Sequence, residues 1–223
     1  MIVTIDGPAG AGKSTVAKRL ARRLEFEFLD TGAMYRVITL AAMVDGIPWT
    51  DIAGLAQLAR ACRFELQDSR MLLNGNDVSE AIRAPEITQL ICNVADPPEV
   101  RAALVDRQRD WVAKRDVVTE GRDQGTVAFP DAECKIFLVA SPEERAQRRF
   151  RELRAKGMDL TYEDVLAMQL DRDQRDERRP VGALRKADDA IEFSTDSLDL
   201  DQVVDQLESI VRKRQQELAG ASS

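Results

Sequence analysis

Short apolar runs alternate with helical patterns along this chain. The runs at 2–6, 116–120, 134–140 and 190–195 read IVTID, DVVTE, CKIFLVA and AIEFST, and Phe26 and Phe28 flank one polar residue in a further run. Runs of this length and composition predict strands. Because strands alternate with helices, the pattern predicts an α/β protein with a mostly parallel sheet flanked by helices.

Two segments add to this pattern. The last helix should begin at Leu200, since Leu200, Val204, Leu207 and Val211 recur at the spacing of a helix that packs on a core. Between residues 62 and 79 the chain instead reads RFELQ and RMLLNGNDVS. The Asn-Gly pair predicts a tight turn between short strands, which interrupts the strand–helix alternation.

Composition excludes several classes of protein. The net charge of −7 argues against binding to bulk nucleic acid or to an anionic membrane. Cys62, Cys92 and Cys134 are an odd number of widely spaced cysteines, which fits buried thiols in a reducing compartment. The start MIVTIDG has no basic, apolar leader, and VITLAAMV is too short to span a bilayer. We therefore expect a cytoplasmic protein with no membrane or nucleic-acid partner.

Histidine is absent from the sequence. This excludes histidine acid–base catalysis, a Ser-His-Asp triad and histidine-ligated metal sites. Any reaction catalysed here must use other side chains.

The stretch GPAGAGKST, residues 7–15, follows the first predicted strand and precedes the helical pattern VAKRLARRL. It matches G-x-x-x-x-G-K-[ST], in which glycines allow backbone N–H groups to surround phosphate oxygens. Lys13 would contact the β- and γ-phosphates, and Ser14 would bind Mg²⁺. A turn without a ligand is the alternative, but the complete motif in this context favours binding of a nucleoside triphosphate. The predicted loop residues are Gly7, Pro8, Ala9, Gly10, Ala11, Gly12, Lys13, Ser14 and Thr15.

Other motifs narrow the class of phosphate-loop protein. The chain has neither an Asn-Lys-x-Asp guanine motif nor a Leu-Ser-Gly-Gly-Gln signature, and it is short for a helicase motor. A small-molecule kinase remains, and such an enzyme needs a second anion site for its acceptor. An ATPase that switches a protein partner stays open as an alternative.

Two segments that follow predicted strands are candidates for that second site. In LDTGAMYR we expect Thr31 to cap a helix that carries Tyr35 and Arg36, near the sheet edge where ligands of open α/β sheets bind. Taken alone, Tyr35 could equally be a core aromatic and Arg36 a surface residue. The stretch EGRDQG presents Arg122 and Asp123 in the same way, although a tight turn with a solvated ion pair is an alternative.

The segment RDQRDERR, residues 172–179, gathers arginines in an acidic protein. A helix from a cap-like Thr161 to Pro180 would place four residues within one arc of about 100°, namely Arg172, Arg175, Asp176 and Arg179. It would place Asp173, Gln174, Glu177 and Arg178 on the opposite side. Charge runs are usually solvated, but arginines sorted to one face favour an anion site.

Several of these motifs occur together in one known family. GPAGAGKST, LDTGAMYR, NDVSEAIR, EVRAALVDRQR, EGRDQGTVAFPDA and RDQRDERR, in this order, resemble the bacterial cytidylate kinases from residue 1 to about residue 210. The resemblance implies ATP-dependent phosphorylation of CMP, and of dCMP, to CDP or dCDP with Mg²⁺ and release of ADP. It also implies a core of 1–45 and 96–223, a lid at about 150–185, a nucleoside-monophosphate-binding insert at 46–95, and a monomer.

The resemblance also implies roles for individual residues. The acceptor-phosphate contacts are assigned to Thr31, Tyr35, Arg36, Arg122 and Arg179, and the sugar contacts to Arg172 and Asp176. Arg145, Arg148 and Arg149 are further candidates for the donor phosphates, although part of their helix must also be plain surface. The residues that would stabilise the transferring phosphoryl group are Lys13, Arg122, Arg175 and Arg179, and Asp30 is a second candidate Mg²⁺ ligand beside Ser14.

Arg101 and Asp123 would read the cytosine, because a carboxylate accepts from the N4 amine while a guanidinium donates to the base acceptors. Cys92 stands where the family often has a serine that helps hold the base, and a thiol is a weak hydrogen-bond partner. A kinase that acts on UMP as well as CMP therefore stays open as an alternative.

Overall fold

The computed structural model describes residues 1–67, 70–155 and 157–221. The chain forms two compact units, one of Met1–Phe28 with Arg115–Ser223 and one of Leu29–Lys114. We call these the first and the second unit. The predicted insert at 46–95 lies within the second unit, which also includes a helix on either side of it. The insert itself stays a prediction.

The strands and helices follow the predicted alternation. The strands are β1 Ile2–Asp6, β2 Glu27–Asp30, β3 Phe64–Gln67, β4 Arg70–Leu73, β5 Asn76–Asp77, β6 Val117–Gly121, β7 Cys134–Val139 and β8 Ile191–Ser194. The α-helices are α1 Lys13–Leu24, α2 Thr31–Val44, α3 Ile52–Ala61, α4 Pro85–Leu90, α5 Cys92–Ala95, α6 Pro98–Val112, α7 Pro142–Ala155, α8 Tyr162–Arg178 and α9 Leu200–Ala221. A 3₁₀ helix covers Ala81–Arg83 and a π-helix covers Gln124–Ala128.

The first unit is built on a sheet whose order, within the described residues, is β2-β6-β1-β7-β8. β1 pairs in parallel with β6 and β7, and β7 pairs in parallel with β8. This confirms the predicted α/β class. The apolar faces of α1 and α9 cover the sheet, and Val204, Leu207 and Val211 are fully buried at the predicted spacing. Leu200 is partly buried against the same core.

The second unit contains the short strands. β4 and β5 are joined by Asn74 and Gly75, whose φ angles of 51° and 83° are those of the predicted tight turn. The guanidinium of Arg107, on α6, lies 3.8 Å from the ring centre of Phe64 and donates to the carbonyls of Ala59 and Cys62 at the end of α3. This unit is thus held together by a cationic contact as well as by apolar packing.

The helix predicted for the arginine segment is present as α8. Thr161 caps it, and the Asp164 side chain accepts from the Thr161 backbone in return, which forms a capping box. The helix ends at Arg178, with Pro180 following shortly after. No helix in the described parts of the chain is both long and apolar enough to cross a membrane.

Candidate active site

The loop between β1 and α1 has the backbone of an anion-binding nest. Gly7 has a φ of 149°, and a Cβ there would lie 2.0 Å from the carbonyl oxygen of Leu138. Gly12, with a φ of 85°, stands at the N-cap of α1 and has no side chain with which to cap the helix. The first amide groups of α1 are therefore available for an anion, which the helix dipole would also attract.

Lys13 is buried at the start of α1, and its Nζ donates to the carbonyl of Pro8 at 2.8 Å. Burial, together with the nearby Arg122 guanidinium, lowers the pKa of Lys13 to about 7, against the opposing effects of Glu120 and Asp6. A bound polyphosphate would favour the charged ammonium. Lys13 and Arg122 thus place two cationic groups close together, which favours binding of an anion beside them.

Ser14 lies beside a carboxylate that the sequence analysis did not single out. The Ser14 hydroxyl donates to Glu120 Oε1 at 2.6 Å, at the end of β6. A hydroxyl and a carboxylate are hard oxygen donors of the kind that Mg²⁺ prefers. Among the described residues there is no cluster of three or more acidic or cysteine side chains that could hold a metal. A cation at Ser14 and Glu120 would therefore need phosphate oxygens or water to complete its shell.

Asp30, and not Thr31, caps the start of α2. The Asp30 carboxylate caps the helix by accepting from the Ala33 amide at 2.9 Å, whereas Thr31 is the first helical residue. The prediction that Thr31 caps the helix is wrong, because an aspartate one residue earlier caps at least as well. Since Asp30 Oδ1 already accepts this bond, the assignment of Asp30 to Mg²⁺ stays a prediction.

Asp6 is a second carboxylate that sequence reasoning missed. Its two oxygens accept from the backbone amides of Gln124 and Gly125 at 2.8 and 2.7 Å, at the start of the π-helix. Burial raises the pKa of Asp6 to about 7, although these two hydrogen bonds oppose the rise. An acidic residue at the end of a buried central strand was the available signal. The Asp6 carboxylate thus holds the first turn of the π-helix. Asp123 is buried and immediately precedes this turn.

Asp176 joins the arginine segment to the turn after β6. It pairs with Arg122 Nε at 2.8 Å and with Arg179 Nη2 at 2.6 Å, and the side chains of Arg179 and Asp176 are both nearly buried. Burial raises the pKa of Asp176, but the Arg122 and Arg179 guanidiniums outweigh it and hold that pKa below its usual value. Arg179 is therefore not simply hydrated in the free protein, since its guanidinium pairs with a carboxylate.

The buried face of α8 also differs from the predicted one. It consists of Val165, Gln169, Asp173 and Asp176. Asp173, expected on the side opposite the arginines, pairs with Arg145 at 2.7 Å, so that side of α8 is partly buried. Arg145 makes this helix-packing contact because it is itself buried at the base of α7.

The other arginines of the two helices face outward to different degrees. Arg175 is exposed and pairs with Asp171 at 3.0 Å, whereas Arg172 is half-buried and close enough to lower the pKa of Lys13 further. Arg148 and Arg149 pair with Glu144 and Glu152 along α7, at 3.7 and 2.9 Å. The proposed phosphate roles of Arg148 and Arg175 stay predictions.

The remaining predicted acceptor residues lie in the second unit. Thr31 and Tyr35 are buried on α2, and the Arg101 guanidinium lies 5.3 Å from the centre of the Tyr35 ring. Arg101 also donates to the carbonyl of Ala95 at 2.8 Å. Arg36 donates to Thr88 Oγ1 at 2.9 Å and to the carbonyl of Ile82 at 3.1 Å. The structure thus groups Tyr35 with Arg101, which lie far apart in sequence.

Cys92, the residue that departs from the family pattern, lies in the same unit. Its thiol contacts the carbonyl of Gln89 at 3.5 Å, and the neighbouring Asn93 side chain donates to the carbonyl of Leu90 at 3.1 Å. Both side chains are therefore engaged with the preceding turn of backbone.

The chain is similar to proteins of known family over almost its full length. A family profile described as cytidylate kinase matches residues 3–213. A cytidylate kinase of Rhodopirellula baltica is 51% identical, with 100% of this chain and 97% of that protein covered. One from Carboxydothermus hydrogenoformans is 46% identical, with 96% of this chain and 98% of that protein covered.

Solved structures resemble the chain in fold. A gluconokinase from Sinorhizobium meliloti 1021 superposes with a TM-score of 0.51 at 17% identity, over 99% of this chain and 97% of that one. A shikimate kinase from Bacteroides thetaiotaomicron gives a TM-score of 0.50 at 13% identity, over 95% of this chain and 98% of that one. At such low identity these similarities establish the fold alone.

Proposed function

Because this chain belongs to the cytidylate kinase family, we propose that it transfers the γ-phosphoryl group of ATP to CMP, and to dCMP, with release of ADP. The observation that carries the proposal is the complete phosphate loop with Lys13 buried in it, close to the Arg122 guanidinium. A kinase needs both features, one to hold the donor and one to neutralise the group in transit.

The chemistry is compatible with the absence of histidine. The acceptor is a phosphate oxygen that is already ionised, so that no general base is required. Catalysis then rests on positioning and on neutralising charge, for which Lys13, Arg122 and Arg179 are the candidates. In the free protein Asp176 pairs with both Arg122 and Arg179. We infer that a substrate phosphate replaces this carboxylate, which then becomes free to contact the sugar beside Arg172.

Ser14 and Glu120 are the residues that would hold Mg²⁺ beside the triphosphate, since they present a hydroxyl and a carboxylate 2.6 Å apart. The bound cation would supply positive charge to the β- and γ-phosphates. Ser14 and Glu120 would orient this cation from α1 and β6, and both elements are anchored in the core of the first unit.

Asp123 is the proposed reader of the cytosine amine. It is buried, and the turn that follows it is fixed by Asp6, which suits a residue that must hold one orientation. Arg101 is the proposed donor to the base acceptors, with Tyr35 against its guanidinium. Thr31 and Arg36, in the second unit, are the proposed contacts to the acceptor phosphate.

We also propose that the protein works as a cytoplasmic monomer without nucleic-acid or membrane partners. The net charge of −7 argues against nucleic-acid and anionic-membrane partners, and the three cysteines without a paired motif fit a reducing compartment. The monomeric state rests on the family resemblance alone.

Steady-state ADP release with CMP, dCMP, UMP and no acceptor tests the proposal. We expect rapid release with CMP and near-idle turnover without a monophosphate. Equal ADP release with and without an acceptor would instead support an ATPase that switches a protein partner. Equal kcat/KM values for UMP and CMP would support a broader pyrimidine kinase.

A further inference from the structure

The carbonyl of Ala9, in the middle of the phosphate loop, accepts two hydrogen bonds from helices far along the chain. Arg145 Nη1, on α7, donates to it at 2.9 Å, and Gln169 Nε2, on α8, donates at 3.0 Å. Both donor residues are buried. One carbonyl oxygen is thus held from two independent elements.

The Arg145 donor is itself fixed in place. Its Nη1 lies 2.7 Å from Asp173 Oδ2, and its Nε donates to the carbonyl of Ala140 at 3.0 Å. A guanidinium held at three points has little rotational freedom. Arg145, which the sequence suggested as a phosphate ligand, is thereby committed to the backbone of the loop.

Fixing this carbonyl also fixes the amide that follows it. In a trans peptide the C=O of Ala9 and the N–H of Gly10 point in opposite directions. Donors that hold the carbonyl on the side of α7 and α8 therefore aim the Gly10 N–H away from those helices. Gly10 is exposed, with a φ of 79°, and a Cβ there would lie 3.0 Å from Gln169 Nε2. The loop is thus closely packed on one face and open on the other.

We propose that Gln169, supported by Arg145, is a positioning residue for the donor nucleotide: it orients the Ala9–Gly10 peptide so that the Gly10 amide donates to an ATP phosphate. This inference rests on the proposed function. α8 also carries Asp176, which holds Arg122 and Arg179. The same helix therefore contacts the donor loop through Gln169 and the two arginines through Asp176, about two turns further on.

Binding of a non-hydrolysable ATP analogue to Gln169→Met, measured by calorimetry without acceptor, tests the proposal. Methionine keeps the length and packing of the side chain but removes the N–H donor. We expect the analogue to bind about fivefold more weakly, the value of one hydrogen bond. The dissociation constant for CMP alone should stay within about twofold, because this substitution leaves the acceptor residues in place.

Two further variants complete the design. Gln174→Met carries the same substitution on the exposed side of α8 and should bind the analogue like the wild type. Gln169→Glu should weaken analogue binding more than Gln169→Met, since it sets a carboxylate against the Ala9 carbonyl. A purely structural role would lower the melting temperature and weaken both ligands alike.

Unchanged analogue affinity in Gln169→Met, or equal weakening of analogue and CMP, would overturn the positioning role. If the wild type does not bind the analogue at all, the proposed function would be overturned as well. Normal analogue binding by the wild type with no turnover on CMP would contradict only the proposed acceptor and would leave the comparison of Gln169→Met with Gln174→Met decisive.

Discussion

The phosphate loop and the arginine segment of α8 are both suited to bind phosphate, yet they are built differently. The loop presents backbone amides and one buried lysine, and Arg145 and Gln169 hold the carbonyl of Ala9 in the middle of it. The arginine segment presents long side chains. In the free protein Asp176 already forms ion pairs with both Arg179 and Arg122. The loop can bind an anion without rearrangement. The arginines must first release the Asp176 carboxylate before they can bind a phosphate.

This difference has an energetic meaning. Backbone amides at a helix start cannot turn to another partner, so the loop keeps its affinity without reorganisation. Guanidiniums on flexible stems find a carboxylate whenever one is near, and binding of phosphate must then compete with that pair. We infer that the loop sets the affinity for the donor and that the arginine segment contributes mainly when both substrates are present.

The largest expected effect tests the loop. Lys13→Met should reduce turnover by about 10³-fold or more, because a fixed cation on the transferring phosphate is lost. Thermal melting should show an intact fold, since the substitution removes a cation that burial and the nearby Arg122 guanidinium both disfavour. Lys18→Met, half-buried on the same helix, is the matched control and should turn over normally. Near-normal turnover in Lys13→Met would remove the loop lysine from the mechanism.

The arginine segment predicts a combined effect on rate and stability. Arg179→Ala should lower kcat by about 10²- to 10³-fold. Because Arg179 pairs with Asp176 in the free protein, the variant should also lose roughly 1–3 kcal/mol of unfolding free energy.

Arg178→Ala is the internal control for this experiment, since Arg178 is exposed on the same turn of α8. It should change neither the rate nor the unfolding free energy. Equal effects in the two variants would mean that the assignment of helix faces is wrong. A loss of stability in Arg179→Ala with normal kcat would reduce the segment to a structural ion pair.

A smaller effect is expected at the turn that follows β6. Asp123→Asn should weaken discrimination against UMP by about 1–3 kcal/mol, because an amide can donate to the uracil carbonyl that a carboxylate repels. The measurement is the ratio of kcat/KM for CMP and UMP. A ratio that does not move would show that Asp123 does not read the base.

The last expected effect is on stability and not on turnover, and it depends on pH. Burial raises the pKa of Asp6 from 3.8 to about 7 in the folded protein, so that folding takes up a proton between these values. The stability that this group contributes is present below pH 3.8 and is lost as the pH rises through about 7. The unfolding free energy of the wild type should therefore fall relative to Asp6→Asn over this range, by roughly 1–4 kcal/mol. A constant difference would contradict the raised pKa.

The sequence predicted those parts of the molecule that depend on local pattern. Buried strands and the loop 7–15 were recognisable because their residues act within a few positions of one another. Arg145 was assigned to phosphate, since nothing in RAQRR indicates that its partners are Ala9 and Asp173. Contacts across 136 residues depend on the tertiary fold.

The error over the faces of α8 has a similar origin. A spacing of about 100° per residue set Asp173 opposite the arginines. The packing face is instead decided by Val165 and Gln169, two turns and one turn earlier. Buried carboxylates at strand ends, Asp6 and Glu120, were overlooked because a run of β-rich residues gives no sign of what its last member contacts. At the start of α2, both Asp30 and Thr31 are residue types that cap helices, so the sequence did not decide between them; Asp30 is the cap.

The contact of Arg107 with Phe64 has a mechanical consequence for the second unit. Helix ends usually fray because their last carbonyls lack partners, but here one guanidinium serves two carbonyls at the end of α3 and covers the first residue of β3. The end of α3, the start of β3 and α6 are thereby tied into one stiff block. Any displacement of this block during catalysis would be carried by hinges at its margins, and its backbone amides should exchange with solvent as a single cooperative group.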